Sequence, residues 1–412
     1  MIKSLFILLT FGVFASFVNV KAQNAPPSDT SRAKLHALID SVTLANVYSY
    51  DTKDNLNQSM DCAKVIEHPS GGFIAVYHHY INGQPTVFLA TSPDFISWTV
   101  QSTIATIASQ PAIAEASDGG YVIAWEQEPN NHIKVAYYST LSNLLSATSA
   151  YSYDISRTLS SCAEGTPNIY SASSSSVDIG FHYYQNCQSD RQARGVLTNF
   201  NSWSASALSN YDNALLYWGV AGNIGDRDAA IYDTYLFGLI EGQFTQGNFG
   251  TWRSYIYDYQ TGNAEQLHIV THNGSTAFAN PTFTFLNISG NPAMVVTLFV
   301  PSEGAASGEA GELMYYRLLN NDLSTAINTQ SEKSQPVIYP NPTSSKFFVS
   351  FANEKQNNTN WKFKLTDLSG KTILQGDLLN KTLELISVAN GEYQLQIFND
   401  TDFYVQQLIV SH

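Results

Sequence analysis

The sequence predicts an all-β protein, a five-bladed β-propeller followed by a small Ig-like β-sandwich. Three observations carry that prediction. A tyrosine signature recurs as Tyr48-Ser49-Tyr50-Asp51, Tyr151-Ser152-Tyr153-Asp154 and Tyr255-Ile256-Tyr257-Asp258, at offsets of 103 and 104 residues. Between the copies a hairpin pattern returns at about half that distance. After residue 336 the pattern tightens to six or seven short alternating strands in about 75 residues. Propeller blades, four-stranded sheets around a channel, repeat at a fixed period, and a sandwich does not.

Residues 1–22 come first. Lys3 supplies a positive start, Leu5 to Val18 is an apolar run, and Val20-Lys21-Ala22 sets small or apolar residues before Gln23. That is the layout of a cleaved secretory signal, too short and wrongly flanked for an anchor. No later segment is long and apolar enough for a stable membrane span. Residues 23–44 form an N-terminal segment in which Ser31 caps a short helix carrying Leu35, Leu38 and Ile39. The copy at Tyr48 precedes the first full repeat, so this segment is expected to donate an outer strand that closes the ring.

The propeller is expected over 45–325. Its five hairpins begin at Cys62, Pro111, Pro167, Asp228 and Pro281, with turns such as Pro69-Ser70-Gly71-Gly72 and Ser117-Asp118-Gly119-Gly120. Alternating strands broken by Gly, Asn, Asp and Ser at this density argue hairpins over helices. A polar, patternless stretch, 326–335, reads as a linker to the sandwich at 336–412.

Composition narrows the function. Charged residues make up 13% of the chain and aromatics 13%, with a net charge of −14 and no basic cluster. A nucleic-acid partner is excluded, because nothing is grouped to neutralise phosphates. Of three cysteines, Cys162 and Cys187 flank one strand pair and suit a disulfide, leaving Cys62 buried and free. No Gly-x-Ser-x-Gly nucleophile motif and no glycine-rich phosphate loop is present.

Aligning the hairpins brings His78 and His79, Glu126, His182, Glu241 and Glu303 to corresponding second-strand ends. Carboxylates from different blades can flank a glycosidic bond at the separation that acid/base hydrolysis needs. Glu241 and Glu126 are therefore the leading acid/base candidates, each with the alternative of a hydrogen-bonded structural carboxylate. Asp226 and Asp228 either cap a turn or pair with Arg227 in a structural salt bridge. Trp125, His79, His182, Tyr183, Arg227 and His272 are candidate sugar contacts, with Tyr184 a further stacking platform; Trp125 could equally be core. Glu303 sits in a Ser- and Gly-rich surface loop. His268 and His272 lie about 13 Å apart on a strand and cannot share a metal. No cofactor is expected, although a structural calcium ion in the central channel would suit this architecture.

Two resemblances add to these readings. Tyr339-Pro340-Asn341-Pro342-Thr343, Thr366-Asp367-Leu368-Ser369-Gly370-Lys371 and Asn390-Gly391-Glu392-Tyr393 resemble the type A C-terminal sorting domain of the type IX secretion system. That resemblance covers nearly all of 337–412 and implies recognition by the type IX secretion machinery. The protein would then be secreted from, or held on the surface of, a Gram-negative bacterium. The last strand, ending Leu408-Ile409-Val410-Ser411-His412, departs from the lysine-containing end common in such domains. Separately, Ser92-Pro93-Asp94-Phe95-Ile96-Ser97-Trp98 resembles a strand end of five-bladed glycoside hydrolases of the arabinanase, xylosidase and fructosidase kind, with a decayed copy at Asn199–Trp203. In that family the Trp packs between blades, so the likeness bears on fold more than on activity. The candidacy of Asp226 and Asp228 as base or orienter comes only from this resemblance to five-bladed glycoside hydrolases. The expected function is a secreted carbohydrate-active protein acting on a polysaccharide or oligosaccharide as a glycoside hydrolase; a non-catalytic carbohydrate-binding or adhesion propeller is the alternative.

Overall fold

A computed structural model describes residues 28–319, 337–339, 343–350, 361–367, 372–378, 382–398 and 403–412. The expected signal segment and linker lie outside the described residues. Helix α1 (Asp29–Asp40) opens this part of the chain, and β1 (Val47–Ser49) follows. The helix starts beside Ser28 and not at Ser31, which is buried within it and donates to Asp233.

Five antiparallel four-stranded sheets then form a ring. Blade one is β2 (Asp61–Glu67), β3 (Phe73–Ile81), β4 (Gln84–Ser92) and β5 (Thr99–Thr106). Blade two is β6 (Ala108–Glu115), β7 (Tyr121–Gln127), β8 (His132–Tyr138) and, after helix α2 (Leu141–Leu145), β9 (Tyr151–Asp154). Blade three is β10 (Glu164–Ala172), β11 (Ser176–Gln185), β12 (Ser189–Thr198) and β13 (Ser202–Ala207). Helix α3 (Ser209–Tyr217) leads to blade four, β14 (Ile224–Tyr232), β15 (Tyr235–Gln243), β16 (Trp252–Asp258) and β17 (Asn263–Gln266). Blade five has three strands of its own, β18 (Ala279–Ile288), β19 (Asn291–Val300) and β20 (Gly311–Leu318). Strand β1 completes it, pairing Tyr48 with Tyr315. The five-bladed propeller expected from the repeat is the fold, and the N-terminal strand closes it.

Apolar side chains pack between successive blades. Trp98, with Phe95 and Phe73, fills the seam where blade one meets blade five, beside Ala293 and Val295. Asp94 organises that strand end by accepting from the Ile96 N–H at 2.9 Å and the Ser97 N–H at 2.7 Å. Its carboxyl is held down to about 2, chiefly by those backbone donors. In the decayed copy, Trp203 lies over Gly195, where a Cβ would fall 2.4 Å from the indole. The seam between blades four and five is capped by Leu35, Leu38 and Ile39 of α1.

A repeated device shapes the centre. In blades one, two, three and five the innermost strand bulges, and the residue after the last paired position is left-handed: Cys62 (φ 55°), Gln110 (51°), Thr166 (51°) and Asn280 (48°). Such a bulge re-aims the backbone N–H out of its own ladder. Each of these N–H groups donates to a side chain of the preceding blade: Gln110 to His78 at 3.5 Å, Thr166 to Glu126 at 3.2 Å, Asn280 to Glu241, and Cys62 to Glu312 at 2.9 Å. Hydrogen bonds to carboxylates are each worth about 1.5–3 kcal/mol, so the centre is tied blade to blade by more than apolar contact.

Beyond residue 336, β21 (Val337–Tyr339), β22 (Lys346–Ser350) and β25 (Thr382–Glu384) form one sheet. The other contains β23 (Lys362–Asp367), β24 (Thr372–Asp377), β26 (Gly391–Phe398) and β27 (Phe403–Val410). Both sheets contribute to one core containing Phe347, Leu365, Leu395 and Leu408.

Candidate functional site

The bulged strand ends leave a funnel at one mouth of the ring, a cavity of about 300 Å³ reached by all five blades. Asp61, Cys62 and His78 come from blade one, Gln110 from blade two, Thr166, His182 and Asp190 from blade three, Gly225 and Glu241 from blade four, and Asn280 and Phe299 from blade five. The place that the hairpin pattern assigns to Glu303 is taken by Phe299; Glu303 is an exposed loop residue bonded to Ser302.

Glu241 is 4% exposed. Burial raises its carboxyl above the ordinary value, against the opposing pull of Arg227, the Asn280 N–H and His182. Gly225 permits this placement, because a Cβ there would fall 2.5 Å from the Glu241 Oε1. Glu126 lies against Gly165 of the next blade, and burial raises its carboxyl too. It does not line the funnel, lying under Thr166 as a tie between blades two and three. Asp61, which the sequence reading passed over, does line it; burial raises this carboxyl while a bond from Ser59 lowers it. Asp190 stands 3.8 Å from His182, whose Nε2 also lies 3.4 Å from the Thr166 hydroxyl. The Cys162–Cys187 disulfide pins the β11–β12 hairpin that carries Asp190, and Cys62 is the free, buried thiol.

Strand parity separates the paired candidates. His78 faces the funnel, while His79 stacks on Phe88 with centroids 4.3 Å apart. Trp125 is 4% exposed in the seam between blades one and two, its indole N–H bonded to Gln127 at 2.8 Å. Tyr183 is likewise core between blades two and three, whereas its neighbour His182 lines the funnel. His272 lies outside the funnel, stacked on Tyr48 and bonded to the Tyr50 hydroxyl at 3.1 Å. The funnel's own aromatic rings are Tyr80, Phe249, Trp252 and Phe299, with Tyr80 60% and Phe249 50% exposed. Their sequence signal was weak, since Tyr80 and Phe249 sit at strand and loop ends, not within the repeat.

Asp228 is an axial tie. It ion-pairs with Lys64 of blade one, accepts from the Phe283 N–H of blade five at 2.9 Å, and accepts from its neighbour Ala229. The salt bridge considered between Asp228 and Arg227 is therefore replaced by one to Lys64. The side chain of Asp226 lies outside the described residues. Among the described residues no group of three or more His, Cys, Asp or Glu could hold a metal. The channel carries the Lys64 ammonium, bonded to Asp228 and to the Phe283 carbonyl, so these residues do not fit the calcium ion that the architecture would allow.

Among the described residues no helix is long and apolar enough to cross a membrane. No curated protein matches the sequence. Solved structures similar in fold include an exo-1,5-α-L-arabinanase from a bovine ruminal metagenomic library, at 10% identity and TM-score 0.42, covering 66% of this chain and 95% of that one. An α-L-arabinofuranosidase from Lactobacillus brevis is similar at 6% identity and TM-score 0.45, covering 65% and 93%. A GH32 β-fructofuranosidase of Bombyx mori is similar at 12% identity and TM-score 0.41, covering 93% and 94%. At the other end of the chain, residues 337–411 match the family described as the secretion system C-terminal sorting domain, the tail that marks a chain for type IX secretion.

Proposed function

We propose that the propeller is a carbohydrate-active protein delivered to the surface of a Gram-negative bacterium or beyond, and that it hydrolyses a glycosidic bond in the axial funnel. The observation that carries this reading is the convergence in one cavity of carboxyl groups from blades one, three and four with four aromatic rings. Aromatic faces stack on sugar rings, and two carboxyls held in different environments can divide the roles of acid and base. Glu241, buried and raised, suits the acid that protonates the leaving oxygen. Asp61 or Asp190 then serves as the base or nucleophile, in place of Glu126 and of Asp226 or Asp228.

One observation favours a non-catalytic carbohydrate-binding propeller instead. An oxygen of Glu241 already accepts the Asn280 N–H, as Glu126 does that of Thr166. Reducing-sugar release from a panel of polysaccharides by the mature chain, beside Glu241→Gln and Asp61→Asn, separates the two. Release lost in either folded variant establishes hydrolysis. Retention on a glycan without release establishes binding, and the absence of both release and retention overturns the carbohydrate reading.

A further inference from the structure

The funnel has a floor, and its rim is open on one side. The opposite mouth of the ring holds a second cavity, of about 400 Å³, and among the described residues none lines both. Ala63, Arg227 and Thr282 form the floor: each stands in sequence between a residue of the funnel and one of the opposite mouth, and all three are buried. The Ala63 carbonyl accepts from the Thr297 hydroxyl at 2.6 Å, and Lys64 pairs with Asp228 on the far side. A glycan therefore cannot thread the axis.

The rim is closed over blades three, four and five. The connection 244–251 after β15 meets 186–188 of blade three, where the Gln246 amide donates to the Gln188 carbonyl. It also meets 301–310 of blade five, where a Cβ on Gly250 would fall 3.1 Å from the Glu303 carbonyl oxygen. Between blades four and five, the Thr276 N–H donates to the Gly304 carbonyl at 2.8 Å and the Asn273 amide to that of Ser307 at 3.0 Å. Within and between blades one and two the connections at this mouth shrink to 82–83, 107 and 128–131. Tyr80, Ile81 and Ile107 stand exposed on that side, and none belongs to a core between blades. Tyr80 also lines the funnel.

We propose that the funnel takes the non-reducing end of a glycan chain and acts on its terminal unit, the rest of the chain leaving over blades one and two across Tyr80. The proposal rests on the carbohydrate reading and names the form of substrate. A glycan bound in mid-chain needs two open sides, and this rim has one. A cavity of about 300 Å³ stands at the lower limit for a small-molecule ligand, which suits one sugar unit. The Tyr80 ring then stacks on the unit behind it. Asp61 stands two residues from the floor at Ala63, so the anomeric carbon within its reach is that of the enclosed unit. Water adds across the outermost glycosidic bond: its hydroxyl goes to that carbon, its proton to the base, and the leaving oxygen of the chain takes the proton of Glu241.

The test uses the mature full chain and the same panel of polysaccharides, each offered intact and, at equal mass, after partial acid hydrolysis. Shortening a polymer about tenfold gives about tenfold more ends per gram, and the hydrolysate should displace the protein from the immobilised polymer more strongly by that factor. Where sugar is released, the first product should be a single unit, with the viscosity of the polymer hardly changed. Borohydride reduction of the reducing ends should alter neither result. Tyr80→Ala should weaken retention on the polymer about tenfold and leave inhibition by the free single sugar unchanged. Equal displacement per gram by intact and shortened polymer, an early fall in viscosity with oligosaccharides as first products, or loss of binding on borohydride reduction overturns the proposal and leaves the carbohydrate reading intact. Unchanged retention in Tyr80→Ala overturns the exit over blades one and two. Absence of retention and release on every glycan overturns both readings together.

Discussion

The Glu241 carboxylate rests against the bare Cα of Gly225, so closely that a Cβ on residue 225 would lie 2.5 Å from its Oε1. Gly165 of blade three makes a similar close approach across the seam to Glu126 of blade two, at 2.2 Å to Oε2. In both places a glycine on an innermost strand makes room for a carboxylate that ties the next blade.

Gly225→Ala and Gly165→Ala should therefore each cost about 1–3 kcal/mol in a urea melt, the usual cost of overpacking a filled site. Their effects on the funnel should differ. Gly225→Ala moves a residue that lines the cavity and should weaken glycan binding; Gly165→Ala moves one that does not, and should leave binding nearly unchanged in the folded fraction. Equal losses of binding in the two variants would contradict this assignment of Glu241 and Glu126.

The two tryptophans make a second contrast. Trp125→Ala removes a buried ring from the seam between blades one and two and should cost about 3–5 kcal/mol. Trp252→Ala, in the funnel wall, should leave most of the stability and lower glycan affinity about tenfold, near 1.4 kcal/mol. The pair of melting curves and binding isotherms checks both directions.

That contrast also marks what could be read in the sequence. The repeat revealed the ring, and the strand ends at His78, Glu126, His182 and Glu241 fell into correct register because each follows a short hairpin. Which of two adjacent residues faces the funnel was not legible. On a strand a shift of one residue exchanges the faces, and His78 with His79 or His182 with Tyr183 look alike to a pattern of hydrophobicity. Asp61 escaped notice because it takes its position from a bulge, and the left-handed Cys62 beside it carries no compositional signal of that conformation. Phe299 is illegible for another reason: an aromatic ring closing an apolar strand has the same pattern whether it faces the core or the funnel.

The buried Lys64–Asp228 pair should be strongly coupled. Lys64→Met alone leaves Asp228 uncompensated and should cost about 3–5 kcal/mol. Adding Asp228→Asn removes that stranded charge while keeping an oxygen for the Phe283 N–H, so the double variant should be more stable than Lys64→Met. Strict additivity in a double-mutant cycle would show the two side chains to be independent.

Alkaline pH should loosen the N-terminal helix. Burial lowers the His36 imidazole, but bonds to Asp40 and Glu265 outweigh it and hold the pKa up at about 9. A histidine raised in the folded state contributes fully below its unfolded value, near 6.5, and the contribution is lost as pH rises towards 9. Stability should fall across that interval, and His36→Gln should flatten the slope. An unchanged slope would assign the pH dependence elsewhere.

Strand β1 pairs with β20, so the earliest strand of the propeller waits for the latest. Their register partners Tyr48 and Tyr315 are separated by nearly the whole ring, and closing so long a loop is slow. Until β20 is available, β1 has no partner in blade five and the edge of β19 stays unpaired, a surface that invites wrong partners. A chain emerging from its N-terminus reaches the sorting tail at residue 337 only after β20, which ends at Leu318. The order of elements thus makes the tail a marker of completeness: any chain that displays it already holds every strand needed to shut the ring.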